Sequence, residues 1–475
     1  MSQEVLSNKA LSATMRQVFD SQQAKRLHGA HSNYAERLDL LRRLEAGIWK
    51  YRDAFKEAMF ADWSKNPTEV DLTELYPVLS EIRLIRRNLK RWMAPQRVDT
   101  PITLLGGRGR VLYQPKGVAL IISPWNYPIN LTLKPLLSAL AAGNSAILKP
   151  SELTPNTSAV LADLVAEVFD PSEVALFQGG AEVSQALLDL PFNHIFFTGS
   201  PRVGKLVMAA AAKHLASVTL ELGGKSPVII AKDANLQRAA SQVAWGKLLN
   251  NGQICIAPDY CLVHEQVKDA FLALLKTEMQ KLYGHNPSES ADYARIVSSG
   301  HHQRLSTAIK DALTKGARLE WGGTSDAKQR YLAPTVLSGV SANSQVLQEE
   351  IFGPILPIRT FSSLDEAIRV VQEGEPPLAL YLFSGSKSVI QKVADQTRSG
   401  ALSVNQLIAH FAHSELPFGG VNNSGIGKSQ GKYGFLEFSN ARAYYRQRWP
   451  GLVDIMRPPY TDFKKKLVNL AMRWF

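Results

Sequence analysis

Cysteine is nearly missing from this chain, with two in 475 residues. Two thiols cannot build a disulfide framework, and they cannot supply a four-cysteine zinc site. No run of about 18 apolar residues occurs, so no membrane-spanning helix is expected. The opening Met1-Ser2-Gln3-Glu4-Val5 lacks the basic-then-apolar order of a secretory leader. These absences point to a reducing, cytoplasmic setting. The ten histidines form no H-E-x-x-H. His28/His31 and His410/His413 are i, i+3 pairs, but nothing nearby completes a ligand set, so no metal site is expected. Gly and Pro, 32 and 25 residues, are at ordinary levels, which excludes a collagenous or low-complexity chain.

What is present is a chain that can bury a large core, 45% hydrophobic and 20% charged. Its length suggests about three domains, or two large ones. The net charge of +12 permits attraction to nucleic acid or a membrane surface without requiring it. The basic residues Arg83, Arg86, Arg87, Lys90 and Arg91 share one helix face with no interleaved aromatics. A solvated or subunit-facing surface is therefore expected there, and no nucleic-acid partner.

Along the chain, Leu41, Leu44, Ile48, Tyr51, Phe55 and Ala58 recur at steps of three and four, which predicts a one-faced helix. Leu75, Leu79, Ile82, Leu89 and Trp92 predict a second, stopping at Ala94-Pro95. From about residue 108 short β-rich runs alternate with helices. The runs are 117–123, 146–149, 174–178, 194–198 and 218–220. A second series places strands at 228–231, 260–263 and 355–360, with helices over 234–250, 266–283 and 300–315. Such alternation predicts two α/β domains with parallel sheets. No internal repeat is found.

The run ending at Thr198, then Gly199-Ser200-Pro201-Arg202-Val203-Gly204-Lys205, reads as strand, Gly-rich turn and helix start. Free backbone N–H groups and the helix dipole would hold an anion there. The segment nearly spells G-x-x-x-x-G-K-[ST], but Leu206 stands where the metal-binding hydroxyl belongs. Gly223-Gly224-Lys225-Ser226 and Gly427-Lys428-Ser429 fail for want of a leading Gly, and G-x-G-x-x-G is absent. An ordinary strand-to-helix connection at 199–204 stays open on this ground alone. Cys255 lies in Asn250-Asn251-Gly252-Gln253-Ile254-Cys255, a polar loop in which a strained, accessible thiolate can be placed. Cys261, inside Tyr260-Cys261-Leu262-Val263, reads as a buried hydrophobe. Glu221 follows the run 218–220. It therefore stands at the carboxyl edge of a sheet, where burial would raise its pKa toward a general-base value.

Taken together, these pieces resemble the aldehyde dehydrogenase superfamily. The resemblance rests on Pro124-Trp125-Asn126-Tyr127-Pro128, Leu148-Lys149-Pro150-Ser151-Glu152, Phe197-Thr198-Gly199-Ser200 with Gly204, and Leu220-Glu221-Leu222-Gly223-Gly224-Lys225. Gly252-Gln253-Ile254-Cys255, Glu349-Glu350-Ile351-Phe352-Gly353-Pro354 and Leu416-Pro417-Phe418-Gly419-Gly420 complete it. All seven run in family order between about residues 115 and 440. The short front end and Cys255-Ile256-Ala257-Pro258-Asp259-Tyr260 are similar to the class 3 branch, which includes fatty and aromatic aldehyde dehydrogenases. Leu89-Lys90-Arg91-Trp92-Met93 and Arg457-Pro458-Pro459-Tyr460 look closest to its coniferyl aldehyde dehydrogenase group. Ile254 departs from the Thr often found in the branch.

The resemblance implies oxidation of an aldehyde to its acid with NAD, or NADP, and an apolar long-chain or aromatic substrate. Cys255 would be the nucleophile, Glu221 the general base for thioester hydrolysis, and Asn126 an oxyanion donor. Lys149 and Glu152 would contact the adenosine ribose, and Gly199, Ser200 and Gly204 would form the pyrophosphate turn. Glu350 would hold the nicotinamide ribose, with Phe352 beside it. Glu221 favours hydrolysis over acyl transfer to a thiol, and filled catalytic positions count against an inactive nucleotide-binding homologue. The implied fold is a Rossmann-like cofactor domain over 1–93 and 113–222 and an α/β catalytic domain over 223–420. A small β bridging element, 94–112 and 428–450, would support a homodimer. The tail, 451–475, is basic. In it Phe463, Leu467, Leu470, Ala471 and Trp474 share a helix face flanked by Lys464, Lys465, Lys466 and Arg473, with Trp474-Phe475 at its end. Such a helix, 463–475, suits peripheral membrane contact or docking on the protein itself.

Overall fold

The computed structural model describes residues 3–27 and 32–474, so His28, His31 and Phe475 lie outside the described residues. Helices lead the chain. The single helix expected across Leu41–Ala58 is two, Tyr34–Lys50 and Arg52–Trp63, hinged at Tyr51 with φ −89° and ψ 3°. Asn33 starts the first with a reciprocal cap: its side chain accepts from Ala35 and Glu36, and Glu36 accepts from the Asn33 amide. One apolar stripe crosses the hinge, because Leu41, Leu44, Ile48 and Phe55 all bury into one core. The next long helix, Tyr76–Met93, ends as expected: Ala94 is extended, as a residue before proline must be. Its outer face is basic and exposed, except that Arg86 pairs with Glu45.

The first large sheet has six strands, in the order Gly425–Ile426, Ser217–Leu222, His194–Gly199, Val118–Ile122, Ser145–Lys149 and Val174–Leu176. All pairings are parallel except the first. Counting the parallel strands along the chain, the order is 3-2-1-4-5, that of a dinucleotide-binding fold. Both faces are covered. Ala119, Ile121 and Leu148 pack under the helices of residues 34–93, while Val118, Leu120 and Ile122 pack with Met15 and Phe19 of the Gln3–Leu27 helix.

The second sheet has seven strands: Arg318–Trp321, Thr335–Ser338, Ile355–Phe361, Tyr260–His264, Pro227–Ile230, Ala379–Phe383 and Ala401–Val404. Only the first pairs antiparallel. A third sheet pairs Gln96–Val98, Gly107–Pro115 and Ser439–Gln447. The Gly107–Pro115 strand runs three residues past the sequence boundary drawn at 112, since its ladder with Ser439–Gln447 continues to Pro115.

The tail forms the helix Asp462–Trp474. Phe463 and Leu470 are 67% and 55% exposed. The polar contacts of its lysines stay local: Lys464 reaches the Arg457 carbonyl and Lys465 reaches Asp462. The Trp474 side chain lies outside the described residues. No helix among the described residues is long and apolar enough to cross a membrane.

Candidate active site

The carboxyl ends of the first sheet's strands carry Ser123-Pro124-Trp125-Asn126, Gly199-Ser200 and Glu221 side by side. Opposite them comes the loop before Cys255. The helix expected over 234–250 stops at Leu248, because Asn250, Asn251 and Gly252 are all left-handed, with φ 48°, 57° and 71°. Asn tolerates that region, and glycine is required at 252, where a Cβ would lie 2.3 Å from the Gly353 carbonyl oxygen. Buried bonds hold the loop in place. Asn250 donates to the Asn126 and Gln253 carbonyls at 3.0 and 3.2 Å. It accepts from the Trp63 indole at 3.0 Å, and its amide donates to Glu69 at 3.0 Å. The Asn126 side-chain amide donates to the Gln253 carbonyl at 3.0 Å.

Burial and the Glu350 and Glu221 carboxylates push the Cys255 thiol up, and the Cys255 and Ile256 amides pull it back. Cys261 is fully buried in its strand and pushed up to about 12. Glu221, 5% exposed, has neither carboxylate oxygen in a well-formed hydrogen bond. Burial raises it to about 8, and Ser429, Lys428 and Lys134 offset part of that rise. Burial, with Asp259, also raises Glu350 to about 8. Its carboxylate packs so closely on Gly223 that a Cβ there would lie 2.1 Å from it.

Two cavities meet at these groups. A cleft of about 1030 Å³ is lined by Asn126, Gly199, Ser200, Glu221, Glu350 and Phe352, and it reaches Cys255. A second cavity of about 270 Å³ is lined by apolar side chains, Leu131, Trp245, Ile408, Phe411 and Phe418 among them. It reaches Cys255 and Glu221 from another side. Phe352, itself left-handed at φ 50°, stands edge-on to Trp125 at 5.2 Å.

Seven of the ten sequence-predicted residues therefore border the cleft, and three do not. Lys149 is buried at the end of its strand, 3.1 Å from Glu152, which is half exposed. The Gly204 amide is used within its helix, bonded to the Ser200 carbonyl at 2.9 Å. Its bare Cα lets that helix approach the sheet, since a Cβ would lie 2.8 Å from Leu222. Ser200 caps the same helix, accepting from the Val203 amide. The sequence reading missed Lys134, Lys428 and Gln430. Lys134 had a signal, a lone charge in the apolar stretch 129–142; Lys428 was met only in the rejected Gly427-Lys428-Ser429 string, and Gln430 had no signal. Among the described residues no three His, Cys, Asp or Glu side chains stand together as a metal site.

The cleft fits a dinucleotide. It lies outside the carboxyl ends of a 3-2-1-4-5 sheet, beside a helix N-terminus, with a buried carboxylate at one end. Residues 8–444 match the model of the aldehyde dehydrogenase family. The chain is 42% identical over 442 residues to a 4,4'-diaponeurosporen-aldehyde dehydrogenase of Staphylococcus aureus, covering 93% of this chain and 94% of that one. It is 41% identical to human aldehyde dehydrogenase family 3 member B1, covering 97% of each. A solved structure of Staphylococcus aureus AldH in a substrate-bound state superposes with a TM-score of 0.92 at 40% identity, over 96% of this chain and 99% of that one. More distant solved structures, at 27% and 28% identity, are an indole-3-acetaldehyde dehydrogenase holding NAD+ and an E. coli NADP-dependent enzyme.

Proposed function

The chain belongs to the aldehyde dehydrogenase family, and on that premise we propose how its own residues oxidise an aldehyde with NAD or NADP. Cys255, once deprotonated, attacks the aldehyde carbon to give a thiohemiacetal. The Asn126 amide and the Cys255 backbone N–H hold the oxyanion. The thiohemiacetal carbon gives up its hydride, for which bound NAD or NADP would supply the acceptor, and a thioester remains on Cys255. Glu221 takes a proton from water, which attacks the thioester, and the acid departs with the thiolate restored.

One observation carries this reading: Cys255 and Glu221 stand where the larger cleft and the apolar cavity meet. Hydride acceptor and aldehyde can then approach one thiol from two sides. The apolar lining supports a long-chain or aromatic aldehyde. Glu350 would hold the nicotinamide ribose with Phe352 beside it, Ser200 and Gly199 the pyrophosphate, and Lys149 with Glu152 the adenosine ribose. Glu221→Gln tests the mechanism. Rapid mixing should give one burst of NADH per site, then very slow turnover, with an acyl-enzyme visible by mass. Normal steady-state turnover without acyl-enzyme would refute it, and so would turnover by Cys255→Ala.

Two wider readings rest on the surface. We propose the domain division that the resemblance implies, with the first bridging strand carried on to Pro115, and the outer edge of Ser439–Gln447 supports homodimer formation through the bridging sheet. The exposed apolar residues Phe463 and Leu470, flanked by lysines, support a tail that lies on anionic lipid at a membrane surface of the cytoplasm. Sedimentation with anionic vesicles should pull down the full chain and leave behind a chain ending at Asp462; equal binding by both would refute lipid contact through the tail.

A further inference from the structure

One corner of the apolar cavity holds polar groups with nothing to bond. Gln430 lines the cavity and is 4% exposed, and neither atom of its carboxamide has a hydrogen-bond partner. Its backbone sits at φ 72°, a conformation that glutamine rarely adopts. Lys134 lines the same cavity and is 7% exposed. Its ammonium lies 4.6 Å from the centroid of the Phe411 ring and feels Glu81 and Glu221, and it makes no hydrogen bond among the described residues. Glu81 is fully buried, with one carboxylate oxygen accepting from the Gly431 amide at 2.6 Å and the other without a partner.

The fold brings these groups together. Glu81 comes from the helix Tyr76–Met93, Lys134 from the helix Asn130–Ala142, and Gln430 immediately precedes the helix Gly431–Glu437. The three helices pack on one another. Buried donors and acceptors in native proteins are almost always satisfied, so a corner with several unused ones is built for something that arrives. Its one ammonium feels two carboxyl groups, Glu81 and Glu221, and burial pushes both toward the neutral form, so the corner offers no unbalanced charge of either sign. A neutral oxygen therefore suits it better than a carboxylate or an amine.

We propose that the aldehyde substrate carries a second oxygen, a hydroxyl or keto group, which Gln430 and Lys134 bind while the apolar remainder lies against Phe411, Ile408 and Trp245. This rests on the reading of the 270 Å³ cavity as the aldehyde's site. A site built to hydrogen-bond a substrate oxygen penalises the analogue that lacks it, because its own groups then stay unpaired.

The test compares kcat/KM for heptanal with hydroxyheptanals whose hydroxyl moves along the chain, and for benzaldehyde with its hydroxybenzaldehydes. Wild type, Gln430→Leu and Lys134→Met are each measured. At one hydroxyl position the wild type should prefer the hydroxylated aldehyde by about tenfold or more. Gln430→Leu should bring that ratio near one, and Lys134→Met should lower it. Lys134→Met carries the test if Gln430→Leu does not fold. A ratio at or below one at every position overturns the inference. A preference that neither variant changes also overturns it, and so does Gln430→Leu slowing parent and hydroxylated aldehydes alike, the mark of a corner that holds only water; for Lys134→Met, which also alters the field at Glu221, only the ratio is read. In each of these cases parent aldehydes are still oxidised, so the proposed function stands; if no aldehyde is oxidised, both readings fail.

Discussion

The side-chain amide of Asn126 donates to the carbonyl of Gln253 at 3.0 Å, tying together two loops 127 residues apart in sequence. One is the turn after the central strand of the first sheet, and the other ends two residues later at Cys255. Asn250 donates to the Asn126 and Gln253 carbonyls and locks the join. The proposed oxyanion donor and the proposed nucleophile are thus placed by each other before any substrate arrives, the kind of preorganisation that makes such donors effective.

Asn126→Ala removes the donor without adding a charge beside Cys255. The rate of the NADH burst should fall by about 10²–10³, the usual worth of one oxyanion donor. Slow hydrolysis with a normal burst would instead assign Asn126 to the second half-reaction.

Glu221 can take a proton only when ionised, and burial holds it at about 8. Its carboxyl is protonated below that pH, so hydrolysis of a preformed acyl-enzyme should accelerate as pH rises through about 8 and level off above. Lys428 favours the ionised form. Lys428→Met should therefore move the midpoint upward in single-turnover hydrolysis. A midpoint that stays put or falls would remove Lys428 from that role.

The Glu350 carboxylate disfavours the Cys255 thiolate. In cofactor-free enzyme above pH about 8, where Glu350 is ionised, Glu350→Gln should speed alkylation of Cys255 by iodoacetamide. Cys261, buried in its strand, should stay unlabelled in both proteins. Equal rates for Cys255 would mean that burial and Glu221 hold the thiol up without Glu350.

Local order was legible because it is written in neighbours. Alternating β-rich and helical runs announced the parallel sheets, and most predicted strands fall within a residue or two of the observed ones. The hinge at Tyr51 was not legible, since both helices bury one continuous stripe and periodicity cannot register a one-residue break. The strand pair Gly107–Pro115 with Ser439–Gln447 came only from the resemblance, as the bridging element over 94–112 and 428–450, and not from periodicity. Its outer strand is almost wholly exposed, so it carries little of the alternation that marks a half-buried strand.

By itself the sequence determined which side chains stand at the ends of which strands: Asn126, Gly199, Ser200 and Glu221 on one sheet edge, and Cys255 in a Gly-containing loop. Those placements follow from short-range pattern and turn chemistry. Only the tertiary structure decided what those groups experience. Whether Cys255 is thiol or thiolate depends on carboxylates 34 and 95 positions away in the chain, Glu221 and Glu350. Whether Gly204 touches a ligand or merely admits Leu222 depends on how closely a helix lies on its sheet. The corner of Glu81, Lys134 and Gln430 exists only because three helices pack there. Burial and electrostatic fields are sums over neighbours in space, and a chain specifies those neighbours only by folding.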